Sequence, residues 1–290
     1  MKRLLFPALA AALLAAAPAS GQDWAKARLE KSSRHLEWVT LKHDGREVGA
    51  YIAYPEVKNK ATAVIVIHEI FGLSDWARSV TDELAEAGYI AIAPDLLWGT
   101  GAKGGGTAEL SSDQIGLKIR GLPADQITAD LNAAADYVKK LPACNGKIAV
   151  IGFCYGGSQS FRFATNNADL KAAFVCYGGG PTEPTDIARI ACPVYGFYGG
   201  SDARVTSTVD KSVELMKAAG KTYEPHIYDG AGHGFMRSGE TPLIDPKMTG
   251  DAVADKKSQD GYAKTKADLP ANTKAHDAAW VRVKEVLGKL

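Results

Sequence analysis

The chain reads as one alternating α/β domain, with a mostly parallel central sheet and helices on both faces. Three observations predict it. Apolar runs of strand length recur along the chain, led by Ala63–Ile67, Tyr89–Ala93 and Lys147–Ile151. A continuous apolar run is what a strand covered on both faces needs. Longer amphipathic stretches alternate with these runs, as crossovers between parallel strands require. The composition, 46% hydrophobic and 23% charged over 290 residues, is that of a globular chain able to bury a core, which excludes disorder, collagen and coiled coil for the whole.

The first residues stand outside this pattern. Lys2 and Arg3 precede the apolar run Leu4–Ala17, and the small residues Ala17-Pro18-Ala19-Ser20-Gly21 follow. That three-part pattern is that of a secretory signal peptide over residues 1–21, leaving a single domain at 22–290. An N-terminal anchor or a buried helix is the alternative, but the run is short for a bilayer span. Removing Lys2 and Arg3 takes the formal charge from +1 to −1. A near-neutral chain is not an electrostatic nucleic-acid binder, and no later stretch is apolar enough to cross a membrane. The expected mature protein is exported, periplasmic or secreted, and a monomer.

The elements follow in order. Glu37–Lys42 and Arg46–Tyr54 alternate as strands around the Asp44-Gly45 turn. Ala63–Ile67 is a central strand, after which Asp75 caps a helix over Trp76–Ala87 that Gly88 ends. Tyr89–Ala93 is a strand closed by Pro94. Gly99–Gly121, with Gly104-Gly105-Gly106, reads as a mobile surface loop; no Gly-Lys-Ser/Thr follows to make a phosphate loop. A helix is expected over Asp125–Leu141, a strand at Lys147–Ile151 and a helix at Tyr155–Ala164. Strands at Lys171–Cys176 and Pro193–Tyr198, a helix at Ser207–Ala219 and a strand at Glu224–Tyr228 follow. Ser238–Thr273 reads as a solvated insertion (or a lid) before a last helix at His276–Leu287.

Chemistry concentrates in four motifs, each following a predicted strand. Gly152-Phe153-Cys154-Tyr155-Gly156-Gly157 is a Gly-x-nucleophile-x-Gly elbow with Cys154 as the nucleophile. Such a turn sets the sulfur at a helix N-terminus, whose field favours an anion, and aims the Tyr155 N–H at an oxyanion. Gly230-Ala231-Gly232-His233-Gly234-Phe235 offers His233 as a general base on a loop free of steric conflict. Gly199-Gly200-Ser201-Asp202 offers Asp202 to orient it, with Asp229 as a rival acid. Nucleophile, acid and His in that order is the chain order of the α/β-hydrolase fold. His68-Glu69-Ile70-Phe71-Gly72 would supply the second oxyanion N–H from Ile70, worth about 10²–10³ in rate. Glu69 is odd there, because a carboxylate repels an oxyanion; it needs a partner or turns away to the surface.

Together these four motifs resemble the dienelactone hydrolases (carboxymethylenebutenolidases), from about Trp38 to Arg237 and in the last helix. The resemblance implies a Cys154–Asp202–His233 triad and a hydrolase of small esters or lactones acting through a thioester. It implies that Glu69 regulates the thiol. In that family the Glu pairs with an Arg at rest, substrate displaces it, and the freed carboxylate takes the cysteine proton. Arg237 matches a family arginine that binds substrate carboxylate. The family's second such arginine follows Pro-Asp-Leu, but here Pro94-Asp95-Leu96 is followed by Leu97-Trp98-Gly99. A bidentate clamp would lose half its donors.

A non-hydrolytic binding or thiol-redox protein on the same fold is the alternative, although binding needs none of the three triad residues. A glutamine-amidotransferase-like enzyme also uses a Cys elbow, but would not need Asp202 and Glu69 together. No Cys or His pair has metal-ligand spacing and no cofactor is expected. In the strand order that the resemblance implies, Cys144 and Cys192 would be separated by a strand, too far for a bridge, so Cys144, Cys176 and Cys192 are expected as free, partly buried thiols.

Overall fold

The computed structural model describes residues 23–238 and 252–290; the expected signal peptide, residues 1–21, and part of the insertion lie outside them. Eight strands form one sheet: β1 (His35–His43), β2 (Arg46–Tyr54), β3 (Ala61–Ile67), β4 (Ile90–Pro94), β5 (Cys144–Phe153), β6 (Leu170–Cys176), β7 (Val194–Gly199) and β8 (Tyr223–Tyr228). Their spatial order is β1-β2-β4-β3-β5-β6-β7-β8. β1 and β2 are antiparallel, and β2 joins β4 antiparallel; every pairing from β4 to β8 is parallel. β3 and β4 are buried at every residue, as their unbroken apolar runs require.

The helices are α1 (Asp23–Lys31), α2 (Asp75–Glu86), α3 (Ser112–Arg120), α4 (Ala124–Lys140), α5 (Tyr155–Ala164), α6 (Pro184–Ala188), α7 (Ala203–Thr206), α8 (Val209–Ala218) and α9 (Ala252–Leu287). Strand side chains alternate between two cores. Ala63, Ile65 and Ile67 join Leu131 and Val138 of α4, Phe161 of α5 and Met216 of α8. Val64 and Val66 join Ala25 of α1, Val80 and Leu84 of α2 and Trp280 and Val283 of α9.

Four expectations need correction. The cap of α2 is Ser74, whose hydroxyl accepts from the Ala77 N–H, and Asp75 is the first helical residue. The predicted Ser207–Ala219 helix is α8, which starts two residues later at Val209, and the short α7 that precedes it over Ala203–Thr206 was not expected. Gly99–Gly121 is not simply a loop, because Ser111 and Gln114 close a reciprocal capping box that starts α3. Its glycine run is tied down too: Asp95, buried, accepts the Thr107 N–H at 2.7 Å and the Thr107 hydroxyl at 2.8 Å. The last helix starts at Ala252, not His276, and contains Pro270. In the stretch that reads as a solvated insertion, Lys256–Asp260 at 3.8 Å and Lys264–Asp268 at 2.6 Å pair one turn apart along the helix.

The parallel strands all end on one side, so the segments after β3, β5, β6, β7 and β8 meet there. These segments carry Glu69, Cys154, Tyr177, Asp202 and His233.

Candidate active site

Cys154 sits between β5 and α5 with φ +56° and ψ −112°, a backbone that L side chains rarely adopt and that concentrates at functional sites. The glycines around it leave room where a side chain could not go. A Cβ on Gly152 would lie 1.9 Å from the Gly156 carbonyl oxygen, and one on Gly156 would lie 2.2 Å from that of Ile67. The elbow therefore packs backbone to backbone against β3 and its own helix. Tyr155 is the first residue of α5, so its N–H has no intrahelical acceptor.

His233 and Asp202 meet across the ends of β7 and β8. The Nδ1–H of His233 donates to Asp202 Oδ2 at 2.6 Å; Asp229, the rival acid, is not its partner. Burial opposes the imidazolium, but the bond to Asp202 and the nearby Cys154 sulfur outweigh it and push His233 up to about 9. Its Nε2 is buried and makes no hydrogen bond of ordinary geometry; catalytic hydrogen bonds are often long or poorly aligned before substrate binds. An aromatic neighbour sets the imidazole: Tyr177 meets it edge-on at 5.0 Å between centroids.

Glu69 is buried and turned inward, not to the surface. Its Oε2 lies 3.6 Å from Arg237 Nη1. Burial pushes its carboxyl up, against Arg237, His233 and Tyr177, which favour the charge. The Arg237 guanidinium lies 5.3 Å from the Phe71 ring centroid and 5.8 Å from that of Trp76. Ile70 follows Glu69 in a turn that Gly72 closes by donating to the Glu69 carbonyl. His68 anchors this turn: Nδ1 donates to the Glu69 carbonyl at 2.8 Å and Nε2 accepts from the Leu96 N–H at 3.3 Å. Burial keeps its imidazole neutral, which that pair of bonds requires.

Trp98, close to where the family arginine is absent, packs against Gly49 and Trp38 instead. Cys144, Cys176 and Cys192 are free and buried; β6 lies between the strands of the first and the last.

Three residues at the site escaped sequence reasoning. Tyr177 follows β6 with φ +41°. Its one sequence signal was its place between a strand and glycines, shared with the other site residues. Asn272 of α9 accepts the Gly232 N–H at 2.7 Å, fixing the loop one residue before His233. Arg204 of α7 places Nη2 3.5 Å from His233 Nδ1. No motif marks the last two, which arrive by tertiary docking.

The comparisons bear on the family and the fold. The dienelactone hydrolase family pattern matches residues 48–290. A Salmonella typhimurium protein provisionally named a carboxymethylenebutenolidase is 34% identical over 211 residues, which cover 68% of this chain and 76% of its own. Carboxymethylenebutenolidase 1 of Cupriavidus pinatubonensis is 30% identical over 215 residues, covering 73% and 89%. Among solved structures, a protein of Klebsiella pneumoniae provisionally identified as a dienelactone hydrolase superposes with a TM-score of 0.64 at 25% identity, over 82% of this chain and 99% of that one.

Proposed function

The chain belongs to the dienelactone hydrolase family and is a hydrolase of carboxylic esters or lactones, and on that premise we propose that it works through Cys154, Asp202 and His233, with Glu69 governing the thiol. In the resting site Glu69 faces Arg237. Substrate entering beside Arg237 draws it away, and the freed carboxylate takes the proton from Cys154 Sγ. The thiolate attacks the acyl carbon, and the developing oxyanion meets the N–H groups of Ile70 and Tyr155. His233, held charged by Asp202, gives its proton to the leaving oxygen. It then takes one from the water that cleaves the thioester.

One observation carries most weight. The strained Cys154 elbow faces a histidine that a buried aspartate grips at 2.6 Å. With one family arginine missing, neutral small esters and lactones are as good candidates as acid-bearing ones. The test is turnover of p-nitrophenyl acetate, dihydrocoumarin and a carboxylate-bearing dienelactone by the protein and by Cys154→Ala. Loss in the variant of at least about 10³-fold is expected. Unchanged turnover, or none by either protein, overturns the nucleophile.

Export belongs to the same reading and rests on the Lys2-Arg3, Leu4–Ala17 and Ala17–Gly21 pattern alone. N-terminal sequencing of the protein from a periplasmic fraction should find residues 1–21 removed; an intact Met1 in the cytosol overturns it.

A further inference from the structure

We propose that Tyr177 is a positioning residue for Glu69: its buried, unpartnered hydroxyl is the donor that receives the Glu69 carboxylate when substrate draws it from Arg237. The inference rests on the reading above, in which Glu69 must leave Arg237 and act on the thiol.

Several independent observations converge on this side chain. Among the described residues only Asp44, Cys154 and Tyr177 are non-glycines with positive φ. Asp44 lies in the β1–β2 turn, where that backbone is ordinary; the other two flank the site. The Tyr177 backbone is held in this conformation by its N–H, which donates to the Phe197 carbonyl at 2.8 Å. The side chain is fully buried, and its hydroxyl has no hydrogen-bond partner. Burying an unpaired hydroxyl is unfavourable, so an orphan of this kind calls for an explanation. The ring cannot swing away to find water. It is held edge-on by His233 at 5.0 Å and Phe235 at 5.4 Å.

The hydroxyl faces Glu69 closely enough to favour its charged form, yet short of an ordinary hydrogen bond. The rest position is thus divided. Glu69 lies 3.6 Å from one cation and just out of bonding geometry with one neutral donor. The groups facing Glu69 are Arg237 and His233 from the segment after β8, Cys176 at the end of β6 and Tyr177 just after it. His68 precedes it in its own turn, and Cys154 faces Tyr177. Of these, Tyr177 is the neutral oxygen donor. Burial, then Glu69, push its own hydroxyl well above the ordinary range, so it stays protonated and able to donate.

The consequence has a sign. Without Arg237 a buried carboxylate is driven to protonate and can no longer accept the Cys154 proton. A hydrogen bond from Tyr177 favours the anion and keeps it a base. The Sγ–H bond then breaks and an O–H bond forms on Glu69, with Tyr177 keeping its own proton.

The experiment measures kcat and KM for p-nitrophenyl acetate from pH 4.5 to 9 in the full protein, Tyr177→Phe, Glu69→Gln, the double variant and Cys154→Ala. Tyr177→Phe should lower kcat at neutral pH about tenfold, the worth of a hydrogen bond to a charged group, with KM unchanged. Its acid limb should move to higher pH, and activity should recover as pH rises. Tyr177→Phe should cost nothing further in the Glu69→Gln background. If Cys154→Ala is inactive but Tyr177→Phe keeps its kcat and limb, the tyrosine only packs and this inference alone falls. If Cys154→Ala retains full turnover, the hydrolytic reading falls and takes this inference with it. Should Tyr177→Phe fail to fold, a fluorotyrosine at 177, more acidic but equal in shape, should move the acid limb to lower pH; an unmoved limb overturns the proposal.

Discussion

Two buried carboxylates each face an arginine, and they differ in every respect that matters. Asp82 of α2, fully buried, takes Arg34 Nε and Nη2 at 2.7 Å each, and the Ser32 hydroxyl at 2.7 Å. Burial opposes its charge, but Arg34 and Ser32 win and hold the carboxyl below its usual range. Glu69 has a guanidinium nitrogen at 3.6 Å, and there burial wins and the carboxyl is held up. The first pair is a closed clasp that joins the segment after α1 to α2. The second contact is long by comparison, and a long contact to a buried carboxylate is what a substrate can rearrange. Burial beside an arginine therefore does not say whether a carboxylate is structural; the number and length of its bonds do.

Breaking the clasp should have the largest effect. Asp82→Ala takes both short bonds from Arg34, leaving it Glu86 at 3.7 Å, and should lower stability by about 3 kcal/mol in denaturant titration, with kcat per folded molecule unchanged. Glu69→Gln should do the reverse, with kcat reduced by about 10²-fold and a melting temperature no lower than that of the parent at pH 7.

The two should also part company with pH. The Asp82 carboxyl is depressed on folding, so its contribution is present above the unfolded value and is lost as pH falls through the folded one. The Glu69 carboxyl is raised, so its contribution is present in acid and is lost as pH rises through its folded value. Melting temperatures of the parent, Asp82→Asn and Glu69→Gln across pH 3 to 8 should show Asp82→Asn converging on the parent in acid. Glu69→Gln should gain on the parent as pH rises. A parallel pair of curves would contradict the contrast.

His233 adds a kinetic limb. Its folded value of about 9 lies above an unfolded value of about 6.5. Its stabilising contribution is therefore complete below the latter and lost as pH rises through the former. In the proposed mechanism the imidazolium protonates the leaving group and is lost over the same range, so kcat/KM should fall around pH 9. Asp202→Asn removes the bond that raises it and should bring that limb to lower pH. The smallest effect belongs to Asn272→Ala, which frees the Gly232 N–H. It should lower kcat a few-fold, the worth of about 1 kcal/mol, with thiol alkylation by iodoacetamide unaltered.

The strands and the Cys154 elbow were legible because local pattern decides them. Buried parallel strands must be unbroken apolar runs, and the elbow must have small residues at Gly152 and Gly156, where a Cβ would meet backbone. The α5 boundaries, Tyr155 and Ala164, follow directly from that turn. α9 was legible only at its end, where Ala275, Ala279 and Val283 face the core. Upstream, Lys256, Ser258, Gln259, Asp260, Lys264 and Lys266 are exposed, and in sequence such a polar stretch carries no apolar period, so a helix and a loop look alike. α3 was hidden by the adjoining glycines, although its capping box was written in Ser111 and Gln114. The long Glu69–Arg237 contact, the strained Tyr177 and the Asn272 tether depend on distances between segments far apart in the chain, which no local pattern encodes.

The central claim, thiol-dependent hydrolysis at Cys154, is tested most directly by mass spectrometry of the protein quenched in acid during turnover of p-nitrophenyl acetate. One acetyl group per chain, mapped to the Cys154 peptide and absent from Cys154→Ala, is the predicted result. Steady turnover with the acetyl group on another residue, or with Cys154→Ala as fast as the parent, would contradict it.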